Sequence, residues 1–565
     1  MKWKILLLFL LLVPLAYAGE GSMKLLAVTE QGDEMQGSVA DLYLKIVPGS
    51  GRVFLETYPI SKVDTQISTR FAKEIACSFL EKDCSKYDFF YTIRANTYII
   101  GGPSGSSAMS ALTVFVLEDK NYDESVAITG TINSGGFVGP VGGIKQKIEA
   151  AAKQNMSKVL IPTATRKVMN DTSNETFDLI DYGNELGIEV KEIADLNEVI
   201  YEFSGIKYEE STNITVDDSY KNTMKLLAET LCGKSIEMQK EIVVDNQIGL
   251  RIIDENLTRL EYANNLTEKG LKNKDKKNYY SAASFCFGAN VQYGELIVEI
   301  KNDTNIDEVV KQIDAFNDEI ESKKYQTITD LQAYMIVKER IEEAKDTIVE
   351  AHKKFKNNES IFQDIAYAKE RLFSAKSWAK FMGSGGKEYE FSSQVLEDSC
   401  SKKIGEAEER YQYLELFLPN ANRDELNKAK QSKNKGKYEL CLFRASKAKA
   451  QIDSVLSIAG VREESIEEYM KTKLKSVEKN IAKNINKGIF PIVGYSYYEY
   501  SQSLLEEEDW YSASLYGEYA LELSNFDMYF PEIHKRTINL NDFKLFFWGF
   551  LLGAICFGLL ARKSK

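Results

Sequence analysis

The period of the apolar positions changes near residue 206. Before that point, short runs that alternate or are continuously apolar interleave with helical spacing. Segments 24–29 and 38–47 read as strands, Pro48-Gly49-Ser50-Gly51 as a turn, and 52–56 as the return strand. The three-to-four spacing of 67–79 predicts a helix, 89–93 a strand, 107–117 a helix, 125–132 a strand, 145–153 a helix and 158–161 a strand. Segments 177–186 and 196–203 complete the series as helices. This mixed order predicts an α+β domain over 24–205. From about Tyr208 the strand signals stop, and long charged helical stretches with little proline occupy 206–540. Within them a loose pattern of an aromatic start followed by small residues recurs at 278–290, 436–448 and 509–521. Small residues on one face let a second helix approach closely, so either helix-hairpin repeats or ordinary amphipathic helices fit, and the region reads as a stalk, platform or partner-binding arm.

The two ends carry a different pattern. Lys2 and Lys4, a short apolar run and Ala16-Tyr17-Ala18 read as a secretory signal over 1–18, with a retained anchor as the alternative. Residues 545–561 lack charge, and at about 1.5 Å per residue a helix over 544–561 would nearly cross a hydrocarbon core of about 30 Å. Arg562, Lys563 and Lys565 follow, so the expectation is a single-pass transmembrane helix, lipid contact through it, a basic cytoplasmic tail at 562–565 and the bulk of the chain on the extracytoplasmic side of the cell membrane. Eight Asn-x-Ser/Thr sites permit glycosylation there. Six cysteines lie outside that span, an even number that permits disulfides. Pairing of neighbours, 77–84, 232–286 and 400–441, is favoured, and the first pair requires its helix to end near Leu80. The length of 565 residues implies two or more domains, and a net charge of −13 argues against nucleic acid as a partner.

Chemistry concentrates in 98–163. Gly101-Gly102-Pro103 precedes Ser104, and an apolar helix follows. Such a turn exposes the hydroxyl and aims N–H groups of the helix start at one point, as a tetrahedral oxyanion requires. Further on, Gly142 and Gly143 permit a tight turn that delivers Lys145 to the first turn of a helix. The positive dipole end and partial burial both lower a lysine's proton affinity there, suiting it as a general base; a plain surface lysine followed by Lys147 is the alternative. Both histidines, His352 and His534, lie beyond residue 351, so neither a Ser-His-Asp triad nor a His-bearing zinc site fits the first domain.

These stretches resemble the proteolytic domain of Lon proteases. Gly102-Pro103-Ser104 is similar to the family's nucleophile turn, and Pro140-Val141-Gly142-Gly143-Ile144-Lys145 to its Pro-x-Gly-Gly-x-Lys segment, at a similar spacing of 41 residues. The resemblance implies Ser104 as nucleophile, Lys145 as base, Thr129 as a residue that hydrogen-bonds and orients the lysine, and Gly105 as part of the oxyanion hole, with no cofactor and no metal. It also implies polypeptide substrates and a homo-oligomer. The sequence departs from the family in having Gly105 after the serine and Thr131 after Thr129-Gly130, and Ser106 and Ser107 stand close enough to compete as nucleophiles. No Gly-x4-Gly-Lys-Ser/Thr loop occurs, so ATP is not expected as a partner. The expected activity is an ATP-independent, membrane-anchored serine–lysine endopeptidase acting on unfolded or membrane-associated proteins. The alternative is a non-catalytic scaffold or binding protein that retains the fold.

Overall fold

The computed structural model describes residues 19–532 apart from 32–33, 170–175, 211, 248–253, 384, 416–417 and 460. The expected signal, the expected membrane span and the basic tail lie outside the described residues. Among the described residues no helix is long and apolar enough to cross a membrane. The expected fold class is corrected accordingly: a mixed α/β domain is followed by an all-helical region, and no helix of the described residues supports a membrane span.

The first domain is built on a seven-stranded sheet. Its strands are β1 (Gly19–Gln31), β2 (Glu34–Pro48), β3 (Val53–Ser61), β4 (Tyr87–Ile100), β5 (Val126–Ile128), β8 (Lys158–Pro162) and β11 (Glu189–Ile193), in spatial order β11-β8-β5-β1-β2-β4-β3. Pairing is parallel through β1, β5, β8 and β11 and antiparallel from β1 through β2 to β4. Two short pairs lie outside it, β6 (Thr131–Ile132) with β7 (Val138–Gly139) and β9 (Lys167–Met169) with β10 (Thr176–Asp178).

Both faces of the sheet are covered because successive strand residues point to opposite sides. Leu25 joins a core with Leu42, Leu44, Phe89 and Tyr91, covered by α1 (Val63–Phe79) and α2 (Ser106–Glu118). Its neighbour Leu26 joins the opposite core with Val159, Ile161, Ile144 and Ile148, covered by α3 (Ile144–Lys153) and α4 (Leu179–Glu185). Helix α5 (Leu196–Ser204) ends the domain, capped by Gly205. The continuous strand expected over 125–132 is in fact two, interrupted at Thr129-Gly130. The strand at β11 carries the alternating polar pattern of a sheet edge and follows α4 too closely for periodicity alone to separate them.

From Asp218 on, the described structure is helical, from α6 (Asp218–Gln247) to α17 (Trp510–Leu523), twelve α-helices among the described residues. The members used below are α12 (Ser393–Glu415), α14 (Tyr438–Ala459) and α15 (Ile466–Asn486). Three disulfides join Cys77 to Cys84, Cys232 to Cys286 and Cys400 to Cys441, the pairing of neighbours favoured by the spacing. The first is possible because α1 stops at Phe79, which brings the two Cα atoms within 6.1 Å.

The helical region is not a detached arm. The hairpin between β6 and β7 inserts into it, and Phe137 at the tip is fully buried within its core, edge-on to Tyr469. Ser134 donates to Glu522 at 2.7 Å. Glu522 is itself bonded by the buried Lys403, at 2.9 Å, and by Lys449.

Candidate active site

Helices α2 and α3 lie on opposite faces of the sheet, yet both begin beside the carboxyl end of β5. That end of parallel strands is where open α/β sheets place their ligand crevices. The turn that carries Ser104 is fixed from its first residue. Gly102 has φ +94°, a conformation that L side chains rarely adopt, and its N–H donates to Asp64 Oδ2 at 2.9 Å. Asp64, buried in the first turn of α1, therefore holds the turn from the α1 side. Pro103–Gly105 forms a single 3₁₀ turn and Ser104 is half-buried within it. No hydrogen bond among the described residues occupies the Ser104 hydroxyl.

The neighbouring serines are differently placed. Ser106 Oγ donates to Pro103 O at 2.7 Å and accepts from Ile132 N–H at 2.8 Å. Ser107 Oγ donates to Gly130 O at 2.8 Å. Both are buried and act as pins between the turn and the segment after β5. The Gly130 N–H closes the arrangement by donating to Ser104 O at 3.0 Å. Ser104 and Thr129-Gly130 are thus brought together.

The lysine segment separates the two candidates. Gly143, at φ +67°, caps α3, and an added Cβ would lie 2.6 Å from Val28 Cγ1. Residues two apart on a helix do not share a face. Lys145 is half-exposed, with its amine over the rings of Phe177 and Tyr182 at 5.4 and 5.6 Å. Lys147 points inward, is 2 % exposed, and donates to Thr129 Oγ1 at 3.1 Å. Among the described residues no carboxylate pairs with it. Burial alone pushes its pKa down to about 7. A sequence signal for this existed. Ile144, Ile148 and Ala151 mark the buried face of α3, and position 147 falls on that face while 145 does not. Gly105, the other supporting residue expected, caps α2 with its backbone in the helical range, beside the Leu25 side chain.

An amine whose pKa burial lowers is thus bonded to Thr129, one residue from a glycine that binds the carbonyl of a serine in a helix-start turn. Residues 21–200 match the Lon protease (S16) C-terminal proteolytic domain. Over 192 residues the chain is 27 % identical to the Lon protease of Methanosphaera stadtmanae, covering 33 % of this chain and 22 % of that protein. It is 33 % identical over 119 residues to an archaeal Lon protease of Archaeoglobus fulgidus, 21 % of this chain and 18 % of that one. It is 39 % identical over 82 residues to an archaeal Lon protease of Methanothermobacter thermautotrophicus, 14 % of this chain and 13 % of the relative. The chain therefore spans less than a quarter of the length of these relatives. Each of these relatives is named a Lon protease. The helical residues from Asp218 onward lie outside the matched segment.

Two kinds of site residue escaped the sequence. Asp64 precedes Gly102 by 38 residues, and its role depends on α1 packing beside the turn. Arg410 and Tyr413 belong to α12 in the helical region. Arg410 Nη2 donates to Ile132 O at 2.8 Å and to Asn133 Oδ1 at 2.6 Å, and the Gly142 N–H meets the Tyr413 phenol oxygen.

Proposed function

We propose that this chain is a serine endopeptidase whose Lon-type domain hydrolyses unfolded polypeptides with Ser104 as nucleophile and Lys147 as general base. The observation that carries this reading is the buried, unpaired Lys147 amine held on Thr129 beside the Ser104 turn. A base must be neutral when it receives a proton, and burial lowers the Lys147 pKa to about 7, which gives a substantial neutral fraction near neutral pH. Lys145, the base expected from the motif, is replaced in this role because its amine is taken up by two aromatic rings.

The steps follow from the placement. The Ser104 hydroxyl attacks the scissile carbonyl as its proton passes to Lys147 Nζ. The oxyanion is held by N–H groups at the start of α2, those of Ser104 and Gly105. Lys147 returns the proton to the leaving amine. Water then attacks the acyl-enzyme as its proton passes to Lys147, and Lys147 returns that proton to Ser104 Oγ as the ester bond breaks and the acid product leaves. Thr129 orients the amine. Neither metal nor cofactor enters these steps. The chain carries no phosphate-binding Gly-x4-Gly-Lys-Ser/Thr loop, which supports cleavage without ATP. Three disulfides support an oxidising, extracytoplasmic compartment. Self-assembly of the Lon-type domain is part of the proposal, and size measurement in solution tests it.

The test is cleavage of casein without ATP. Ser104→Ala abolishes it, whereas Ser106→Ala and Ser107→Ala lose activity only in proportion to lost stability. Equal cleavage by wild type and Ser104→Ala would leave the domain as a docking module. The pH profile gives an independent check. With a pKa of about 7, kcat rises through a limb near pH 7 and is flat above it. A limb near the ordinary lysine value of about 10.4 would reject a buried base.

A further inference from the structure

Segment 131–143 joins Thr129-Gly130 to α3, so its path decides where Lys147 arrives. Both ends of this segment are held by one face of α12. Arg410 binds Ile132 O and Asn133 Oδ1 at the first end. Tyr413, three residues on and hence on the same side of the helix, takes the Gly142 N–H at the second. Between them the hairpin is anchored by Ser134 on Glu522 and by Phe137 under Lys473 and against Tyr469. Helix α12 also packs on α1, whose Asp64 holds Gly102.

Arg410 is rigidly backed. It is 2 % exposed and its Nε lies 3.1 Å from Asp453 Oδ1 of α14. The other charged groups facing it are Glu409 on its own helix and Glu518 and Glu522 of α17. Lys449 of α14 completes the cluster by bridging Asp453 and Glu522. The buried network thus holds a cation whose Nη2 donates to the segment that leads to Lys147. Among the described residues no charged group pairs with Lys147 from β1, β2, β8 or α4, the elements packed on α3, and burial is the cause of its lowered proton affinity.

We propose that Arg410 and Tyr413 of the helical region are positioning residues for the Lys147 base, so that the helical region completes the peptidase site. Neither residue touches the reacting atoms. They hold the ends of the segment that delivers the amine, and catalysis is sensitive to displacements of about 1 Å, worth about 100-fold in rate. This inference rests on Lys147 being the base.

The test uses the full chain and compares kcat, KM and the pH limb for Tyr413→Phe, Asn133→Ala, Arg410→Gln and Arg410→Lys, with thermal unfolding of each. Tyr413→Phe and Asn133→Ala each lower kcat by about tenfold, leave KM within about twofold, and move the activity limb to more alkaline pH as water reaches Lys147. Arg410→Gln lowers kcat by about 100-fold, and Arg410→Lys recovers part of that loss. Should Arg410→Gln fail to fold, the other two decide, since neither strips a charge from the buried cluster. Wild-type kcat and an unmoved limb in folded Tyr413→Phe and Asn133→Ala overturn the proposal. Lys147→Met separates the two failures. An inactive Lys147→Met beside normal Tyr413→Phe and Asn133→Ala rejects only the positioning role, whereas an active Lys147→Met rejects the base itself.

Discussion

Lys147→Met lowers kcat by about 1,000-fold or more while the protein becomes more stable, and Lys145→Met leaves kcat within about threefold. The two effects at Lys147 share one cause. Its amine is buried without a carboxylate, so the charged form is disfavoured and the pKa falls to about 7. The unfolded chain binds that proton more strongly, with a pKa of about 10.4. Between about pH 7 and 10.4 the unfolded state therefore carries more protons, and wild-type stability rises with pH across that window. Below pH 7 the folded state bears the full cost of the buried ammonium. Methionine fills a similar volume without an amine, so it removes both that cost, roughly 2–4 kcal/mol, and the slope. Chemical denaturation at pH 6 and pH 9 reads both. A Lys147→Met variant as active as wild type, or as pH-dependent in stability over that window, is inconsistent with a buried base. Lys145→Met gives up ring contacts with Phe177 and Tyr182 worth about 1 kcal/mol and no catalytic group.

Glu522→Gln destabilises the protein by about 3–5 kcal/mol, read as a fall in the denaturation midpoint at pH 7. Glu522 is fully buried in α17 and receives Lys403, Lys449 and the Ser134 hydroxyl. Removing its charge leaves two lysines short of a counter-ion in a low-dielectric interior. Burial opposes the carboxylate, but the two ammonium groups outweigh it and pull its pKa down to about 2. That depressed value stabilises the folded state above the ordinary carboxylate range and is lost as pH falls from about 4.5 toward 2. Wild type accordingly loses stability over that window, and the variant shows a shallower decline. Because Ser134 belongs to the β6–β7 hairpin, the variant also loosens the segment leading to Lys147, and kcat falls with stability.

Much of the catalytic turn is legible in the residues themselves. Gly102-Pro103-Ser104 has a spacing and residue chemistry that locally place a serine at a helix start. The disulfide pairing follows from neighbours in sequence and from the requirement that α1 stop near Leu80. The choice between Lys145 and Lys147 is less legible, although the apolar stripe of Ile144, Ile148 and Ala151 points to the latter. The role of the helical region is not legible at all, since the contacts of Arg410 with Ile132 and Asn133 join residues more than 270 positions apart. Local periodicity says which face of a helix is buried and does not say which distant helix covers a given loop.

Alone, the sequence determined most of the longer strands and helices of the first domain, though not β11 or the break at Thr129-Gly130, together with the serine turn, the glycine turn before α3 and the change to an all-helical chain near residue 206. These depend on backbone conformations and apolar spacing within a few residues. Tertiary structure decided which lysine is buried, which serines are spent as pins, and that α12 meets both ends of the lysine segment. Those outcomes depend on desolvation, and the dryness of a side chain is a property of everything packed around it.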